Sequence, residues 1–147
     1  MLGAGSAPPP ALGDTLSLFD AFSYQGKRVL VVGGATGMGN ATARLALDAG
    51  ADVVVMDHAP CDLADVTAIR LNLADKASID AAVAECGGTV DALFACAGVA
   101  DGPGIERINF IGHRHLIDRL RDNAMLPRGS AIGFISSAAG LAWRSNI

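Results

Sequence analysis

The sequence predicts an α/β protein built on a doubly wound parallel sheet with helices on both faces. Three observations carry that expectation. Short aliphatic or β-branched runs alternate with segments of helical period, which is how successive β-α-β units read. The first run, Val29-Leu30-Val31-Val32, has no polar interruption, as a strand covered on both faces requires. A glycine-rich turn, Gly33 to Gly39, then joins it directly to a helical segment. The composition agrees: 51% of the 147 residues are hydrophobic and 18% charged, enough apolar side chain for one core and one domain.

Residues 1–22 read as a flexible leader rich in Gly, Ala and Pro, since each proline of Pro8-Pro9-Pro10 removes a backbone donor and fixes φ. The folded domain is expected over residues 23–147. Met38 to Ala49 reads as a helix closed by Gly50, which suits the left-handed position after a helix end. Asp52 to Met56 is the second strand and Ala68 to Leu73 the third. Asp75 is placed to cap the next helix. On it Ile79, Ala82, Val83 and Cys86 form one apolar stripe before Gly87-Gly88 ends it. Val90 to Cys96 is the fourth strand. The loop Val99 to Gly104 leads into one long helix, from about Ile105 to Asn123, stopped by Pro127 and Gly129. Ala131 to Ile135 is the fifth strand and delivers Ser136 and Ser137 at its C-terminal end.

A net charge of −4 lacks the basic excess that phosphate-backbone binding needs, so no nucleic-acid partner is expected. The longest apolar runs fall short of the roughly 20 residues that span a bilayer, so no membrane is expected either. Cys61, Cys86 and Cys96 are odd in number and widely spaced, matching neither a disulfide framework nor a paired metal site. A reducing cytoplasm is the expected setting. The leader has no basic start ahead of a long apolar run, which leaves a secretion signal as its weaker reading. His113 and His115, two apart on a helix, point to different sides. They read as surface or interface residues, and no metal site is expected. The arginines from Arg107 to Arg128 alternate with Glu106, Asp118 and Asp122 and read as a solvated face.

The strongest chemistry lies in Gly33-Gly34-Ala35-Thr36-Gly37-Met38-Gly39. Between a buried strand and a helix, such a turn lets the backbone approach a pyrophosphate without Cβ interference. The helix N-terminus meanwhile aims unpaired N–H groups at the anion. The spacing is GxxxGxG rather than GxGxxG, and a glycine string alone is no more than a tight turn. Asp57 alters that balance. It ends the second strand about 20 residues beyond the turn, where a carboxylate accepts hydrogen bonds from the adenosine ribose and repels a 2′-phosphate. NAD is the expected cofactor, ahead of NADP.

From about Tyr24 to its last residue the chain resembles the short-chain dehydrogenase/reductase family. Val32-Gly33-Gly34-Ala35-Thr36-Gly37-Met38-Gly39 is similar to the family's TGxxxGxG turn, with Val32 in place of the threonine. The resemblance implies a Rossmann-like sheet of strand order 3-2-1-4-5. It places the cofactor against Gly33, Ala35, Thr36, Gly37, Met38, Gly39 and Asp57. It adds Asn72-Leu73, where the family commonly has Asp and an apolar residue beside the adenine. Ala95-Cys96-Ala97-Gly98 corresponds to the NNAG strand end with both asparagines absent, so Cys96, Ala97 and Gly98 are expected against the cofactor. Taken alone, Cys96 reads as a buried small hydrophobe. The short CAG form and the brief loop to Asn109 resemble the branch containing 3α-hydroxysteroid dehydrogenase/carbonyl reductase.

Two catalytic candidates follow from the resemblance. Asn109, in Ile108-Asn109-Phe110, matches the family asparagine assigned to a water in the proton relay. It shares a helical face with Gly112 and Leu116, which turns it toward the packed side, and a purely structural hydrogen bond is the rival reading. Ile135-Ser136-Ser137-Ala138-Ala139-Gly140 resembles the family's ISSxxG, whose second serine binds the reacting oxygen. Ser137 is that candidate, though alone it reads as a strand end. The family's general acid/base is a tyrosine followed four residues later by a lysine, beyond that serine. Here the only tyrosine is Tyr24 and the only lysines are Lys27 and Lys76. The resemblance therefore implies hydride transfer between a nicotinamide and a secondary alcohol or ketone in a complete protein. This chain reads as its front portion, truncated after strand five, and the rival class is a non-catalytic nucleotide-binding module. Family members pair through the helices after strands four and five, which implies a homo-oligomer for the complete protein.

Overall fold

With no polar residue after Arg28 to interrupt it, β1 (Arg28–Val32) runs through the middle of the sheet, and Val29 to Val32 are completely buried. The computed structural model describes residues 20–137, beginning with a 3₁₀ turn at Asp20–Phe22. Alternate side chains of β1 enter two cores, one on each face of the sheet. Leu30 and Val32 join Val54, Met56 and Leu93 under α2 (Lys76–Cys86) and α3 (His113–Asp122). Val29 and Val31 join Val53 and Val55 on the other face, under α1 (Gly37–Asp48). The sheet is five-stranded and parallel throughout, in the expected order β3-β2-β1-β4-β5. β1 pairs with β2 (Asp52–Asp57) from Arg28↔Asp52 to Val32↔Met56, and on its other side with β4 (Ala92–Ala95). β3 (Val66–Arg70) and β5 (Ala131–Phe134) are the edges.

The elements depart from the sequence reading where a neighbour, not the local pattern, sets their ends. β3 was expected over Ala68 to Leu73 but runs Val66–Arg70, because its one partner among the described residues, β2, ends at Asp57↔Arg70. Asp65, with φ +62°, turns the chain into it. Leu71 and Leu73 are buried, but under the helices and outside the strand. β4 is shorter than Val90 to Cys96: the N–H groups of Cys96 and Ala97 both donate to Val32 O at 2.8 Å, which marks where the chain leaves the sheet. The expected long helix is present as one helical run, 105–122, but its residues Arg107–Gly112 are π-helical before it continues as α3. Gly112 explains the constraint at the junction, since a Cβ there would strike Leu73 O and lie 2.8 Å from Arg107 O. Asp75 caps α2 as expected, its Oδ1 accepting the Ala77 N–H at 2.9 Å. The leader up to residue 19 and Ala138-Ala139-Gly140 of the ISSxxG match lie outside the described residues.

Candidate cofactor-binding site

At the end of β1 three backbones close on one another. Gly33 turns with φ +85°, and a Cβ there would press on Ala97, 2.8 Å from its Cβ. Gly39, in the first turn of α1, leaves no room for a Cβ beside the Gly33 carbonyl. The turn, the helix start and the exit of β4 therefore form one rigid seat.

α1 opens on that seat without a cap. Thr36 is extended (φ −141°), makes no side-chain cap hydrogen bond, and no acidic residue occupies the first turn. The first helical bond runs from the Asn40 N–H to Thr36 O at 3.1 Å. The preceding N–H groups and the positive end of the helix dipole thus face outward with no side-chain acceptor, whereas α2 supplies its own carboxylate. The turn's carbonyls are engaged: Asn40 Nδ2 donates to Gly34 O and Ala35 O, each at 3.3 Å. An anion is what this arrangement suits.

Asp57 does more than mark the end of β2. Its Oδ2 accepts the Ala35 N–H at 2.9 Å and its Oδ1 accepts the Ala59 N–H at 2.8 Å, so the carboxylate pins the glycine turn. Each oxygen keeps a further lone pair for an outside donor. No local pattern shows the bond to Ala35, which joins residues far apart in sequence.

A cavity of about 450 Å³ spans the C-terminal ends of β2, β1 and β4, within the roughly 300–1,000 Å³ common for cofactor sites. Gly33, Thr36, Gly37, Met38 and Gly39 form its floor, Asp57, Asn72 and Leu73 one side, and Cys96, Ala97 and Gly98 the other. Ala35 is not on the lining and acts through its N–H. The sequence reading missed His58, Leu71, Val99 and Ile108, all on the lining. The signal for His58 was its place directly after Asp57. Volume, uncapped helix and ribose-side carboxylate together fit a dinucleotide laid across the strand ends. Burial pushes the Cys96 thiol up, opposed by a hydrogen bond with Thr42, which keeps it a thiol rather than a nucleophile.

Past β4, two side chains hold the loop. Asn109 accepts the Val99 N–H at 2.9 Å and donates to Val99 O at 2.8 Å. His113 Nε2 donates to Ala97 O at 2.9 Å. Two expectations are corrected here. Asn109 is exposed, not turned to the packed side, because the wider π-helical segment changes its phase relative to Gly112 and Leu116, which are buried. His113 is not a surface residue: it is 4% exposed, on the inner stripe with Leu116 and Leu120. His115 is half-buried, its Nε2 3.0 Å from Asp80 Oδ1, and Arg119 Nε is 2.9 Å from the same oxygen. Ser137 follows β5 and is exposed; neither it nor Asn109 is on the cavity lining. Among the described residues no His, Cys, Asp or Glu cluster could hold a metal, and no helix is long and apolar enough to cross a membrane.

Sheet order, uncapped turn and carboxylate define an α/β domain of the Rossmann-like type. The chain belongs to the short-chain dehydrogenase family, whose model matches residues 27–145. It is 27% identical over 124 residues to a coniferyl-alcohol dehydrogenase of a Pseudomonas strain, covering 82% of this chain and 48% of that protein. It is 34% identical over 100 residues to (+)-borneol dehydrogenase 1 of Salvia officinalis, covering 56% of this chain and 36% of that protein. The chain thus spans half or less of the length of these relatives. In three dimensions it is similar to a short-chain dehydrogenase/reductase of Brucella melitensis (TM-score 0.70, 21% identity, 83% of this chain and 61% of that one). It is also similar to RhlG of Pseudomonas aeruginosa, solved as a complex with NADP (TM-score 0.69, 22% identity, 83% of this chain and 59% of that one). Both likenesses concern the fold. The family is one of NAD(P)-dependent oxidoreductases.

Proposed function

We propose that this chain forms the cofactor-binding half of an NAD-dependent oxidoreductase acting on an alcohol or ketone. The observation that carries the reading is the uncapped start of α1, opening on a cavity whose β2 side is Asp57. Asp57 on the β2 side would hold the adenosine, the glycine turn the pyrophosphate, and the residues after β4 the nicotinamide. When bound, the nicotinamide supplies or accepts the hydride. Asp57 favours NAD over NADP, because two backbone N–H groups hold its carboxylate in place and its charge opposes a 2′-phosphate. Ser137 steadies the reacting oxygen, and Asn109 fixes the loop at Val99 and takes the family's place in the proton relay. No tyrosine or lysine of the chain follows Ser137, so the proton-transfer pair of the family has no counterpart within these 147 residues. Two relatives are named for alcohols, which supports that substrate class. The CAG form at Cys96-Ala97-Gly98 supports the hydroxysteroid dehydrogenase/carbonyl reductase branch. The free cysteines support a reducing cytoplasm, and exposed Phe110 and Ile111 support a homo-oligomer of the complete protein.

Calorimetric titration with NAD and NADP tests the reading. NAD should bind at least about tenfold tighter, a factor equal to about 1.4 kcal/mol, and Asp57→Ala should narrow the gap. Tighter binding of NADP, or an unchanged preference in Asp57→Ala, would refute the role given to Asp57.

A further inference from the structure

We infer that His113 is a positioning residue for the dinucleotide: by one hydrogen bond it holds the Ala97 carbonyl away from the cavity. The inference rests on the cofactor-binding reading above and names a residue on which that site depends.

His113 is the one polar side chain buried among the described residues. Its neighbours on the inner stripe of α3, Leu116 and Leu120, are wholly buried leucines, and a third apolar residue would continue the stripe. A polar ring in such a place costs stability unless a partner satisfies it. Only half of this one is satisfied. Ala97 O is an acceptor, so Nε2 carries the proton of that 2.9 Å bond and Nδ1 is left as an acceptor. Nδ1 is buried and has no partner among the described residues. Packing alone does not call for a histidine here; the bond to Ala97 does.

Ala97 lines the cavity and His113 does not, so the bond draws the carbonyl to the helix side while the rest of the residue faces the cofactor space. The remaining contacts of Ala97 leave that carbonyl as its one free element. Its N–H is fixed on Val32 O, and its backbone abuts Gly33 too closely for any Cβ. Two residues on, Asn109 fixes both backbone groups of Val99. Between these anchors stands Gly98, whose missing Cβ leaves the Ala97–Gly98 peptide free to rotate. Turned inward, the carbonyl would present its negative end beside the uncapped start of α1, where the pyrophosphate is to bind. The bond from His113 prevents that rotation. The same ring meets Phe134 of β5 edge-on, centroids 6.3 Å apart at 77°, so it also sets the loop against the strand that leads to Ser137.

The test titrates the full 147-residue chain with NADH by fluorescence, in wild type, His113→Gln, His113→Leu and His113→Asn, with a melting curve for each. Glutamine carries an amide N–H about as far as Nε2 and should keep the affinity within about threefold, because one N–H donor to the Ala97 carbonyl replaces another. Leucine fills the space without a donor and should lose about tenfold or more, the usual scale for a buried carbonyl left unpaired. Asparagine, one bond shorter than glutamine, should lose as leucine does and stands in for it if His113→Leu does not fold. Equal affinity in the leucine and wild-type proteins, or equal losses in the glutamine and leucine proteins, overturns the inference. A loss that follows melting temperature rather than the presence of the donor does the same. A wild-type chain that melts cooperatively yet binds no NADH refutes the cofactor reading itself, a result distinct from any ranking of the variants.

Discussion

Replacing Gly39 by alanine tests the backbone packing on which the cavity rests. The new Cβ would lie inside contact distance of Gly33 O, 2.7 Å from Gly33 C and 3.1 Å from Gly34 Cα, where ordinary contact begins at 3.4 Å. All three atoms are backbone, so no side chain can swing aside, and turn and helix must part by roughly 1 Å. Overpacking of this kind costs typically 1–3 kcal/mol. Alanine in place of glycine within a helix returns about 0.5–1 kcal/mol. The net effect then runs from about zero to a loss of about 2.5 kcal/mol, and its centre, about 1.25 kcal/mol, lowers the melting temperature of a chain near 150 residues by roughly 3–5 °C. The same movement displaces the N–H groups of α1 from the turn, so NADH affinity should fall about tenfold as well. Melting by circular dichroism and fluorescence titration read the two effects. A variant that melts and binds like the wild type would refute the packing argument. One that melts lower but binds NADH unchanged would show that the turn does not hold the cofactor.

Arg28 closes the end of α2, donating to Cys86 O at 2.8 Å and to Gly87 O, with its Nε 3.3 Å from Asp52 Oδ2. Arg28→Met should lower stability in urea by about 1–3 kcal/mol with NADH affinity unchanged, since it lies at the far end of β1 from the cavity; a loss of affinity at equal folding would contradict this. Asp91 accepts the Arg28 backbone N–H at 2.9 Å, which, helped by Lys27, holds its carboxyl below the ordinary range. A lowered folded-state pKa means stabilisation that is present at neutral pH and lost as pH falls through the carboxylate range. The melting-temperature gap between wild type and Asp91→Asn should therefore shrink from about pH 7 to about pH 3, and a constant gap would tell against the assignment. The 147-residue chain should bind NADH yet show no turnover of secondary alcohols by NADH absorbance, because general acid-base catalysis is worth about 10²–10⁴-fold. Turnover that disappears in Ser137→Ala would require an acid/base group not yet identified.

What the sequence made legible follows from where each constraint acts. β1 could be read because burial on both faces admits only aliphatic residues at Val29 to Val32, a condition local to the strand. The start of α1 was legible to within a residue for the same reason, the turn and the helix being adjacent in sequence. β3 was displaced because an edge strand takes its ends from its one neighbour, and nothing within Val66–Arg70 records where β2 stops. Asn109 departs from the reading in its exposure, since the phase of a straight helix does not survive a π-helical segment. His113 failed differently. Its position at stripe spacing with Leu116 and Leu120 fits burial while its residue type does not, and the acceptor that makes burial tolerable lies sixteen residues away.

Asp57 shows the same limit with a consequence for engineering the cofactor preference. Its type and its place at a strand end give the ribose role, but the bond to the Ala35 N–H, twenty-two residues back, makes it part of the turn as well. Removing the carboxylate therefore does two things at once. It relieves the repulsion of a 2′-phosphate, and it frees a backbone N–H of the seat on which either cofactor's pyrophosphate rests. Charge-assisted hydrogen bonds of this kind contribute roughly 1.5–3 kcal/mol each, so the loosened turn should weaken NAD and NADP alike. Asp57→Ala should thus narrow the preference by losing NAD affinity more than by gaining NADP affinity, and its NADP affinity should stay below that of the wild-type chain for NAD. Asp57→Asn, whose single carbonyl oxygen can accept from Ala35 or Ala59 but whose amide repels no phosphate, should retain more NADP affinity than the alanine variant. Calorimetry on the two variants with both cofactors reads the ordering. If alanine and asparagine bind NADP equally, the bond to Ala35 contributes nothing to the seat, and the acid's role is electrostatic alone.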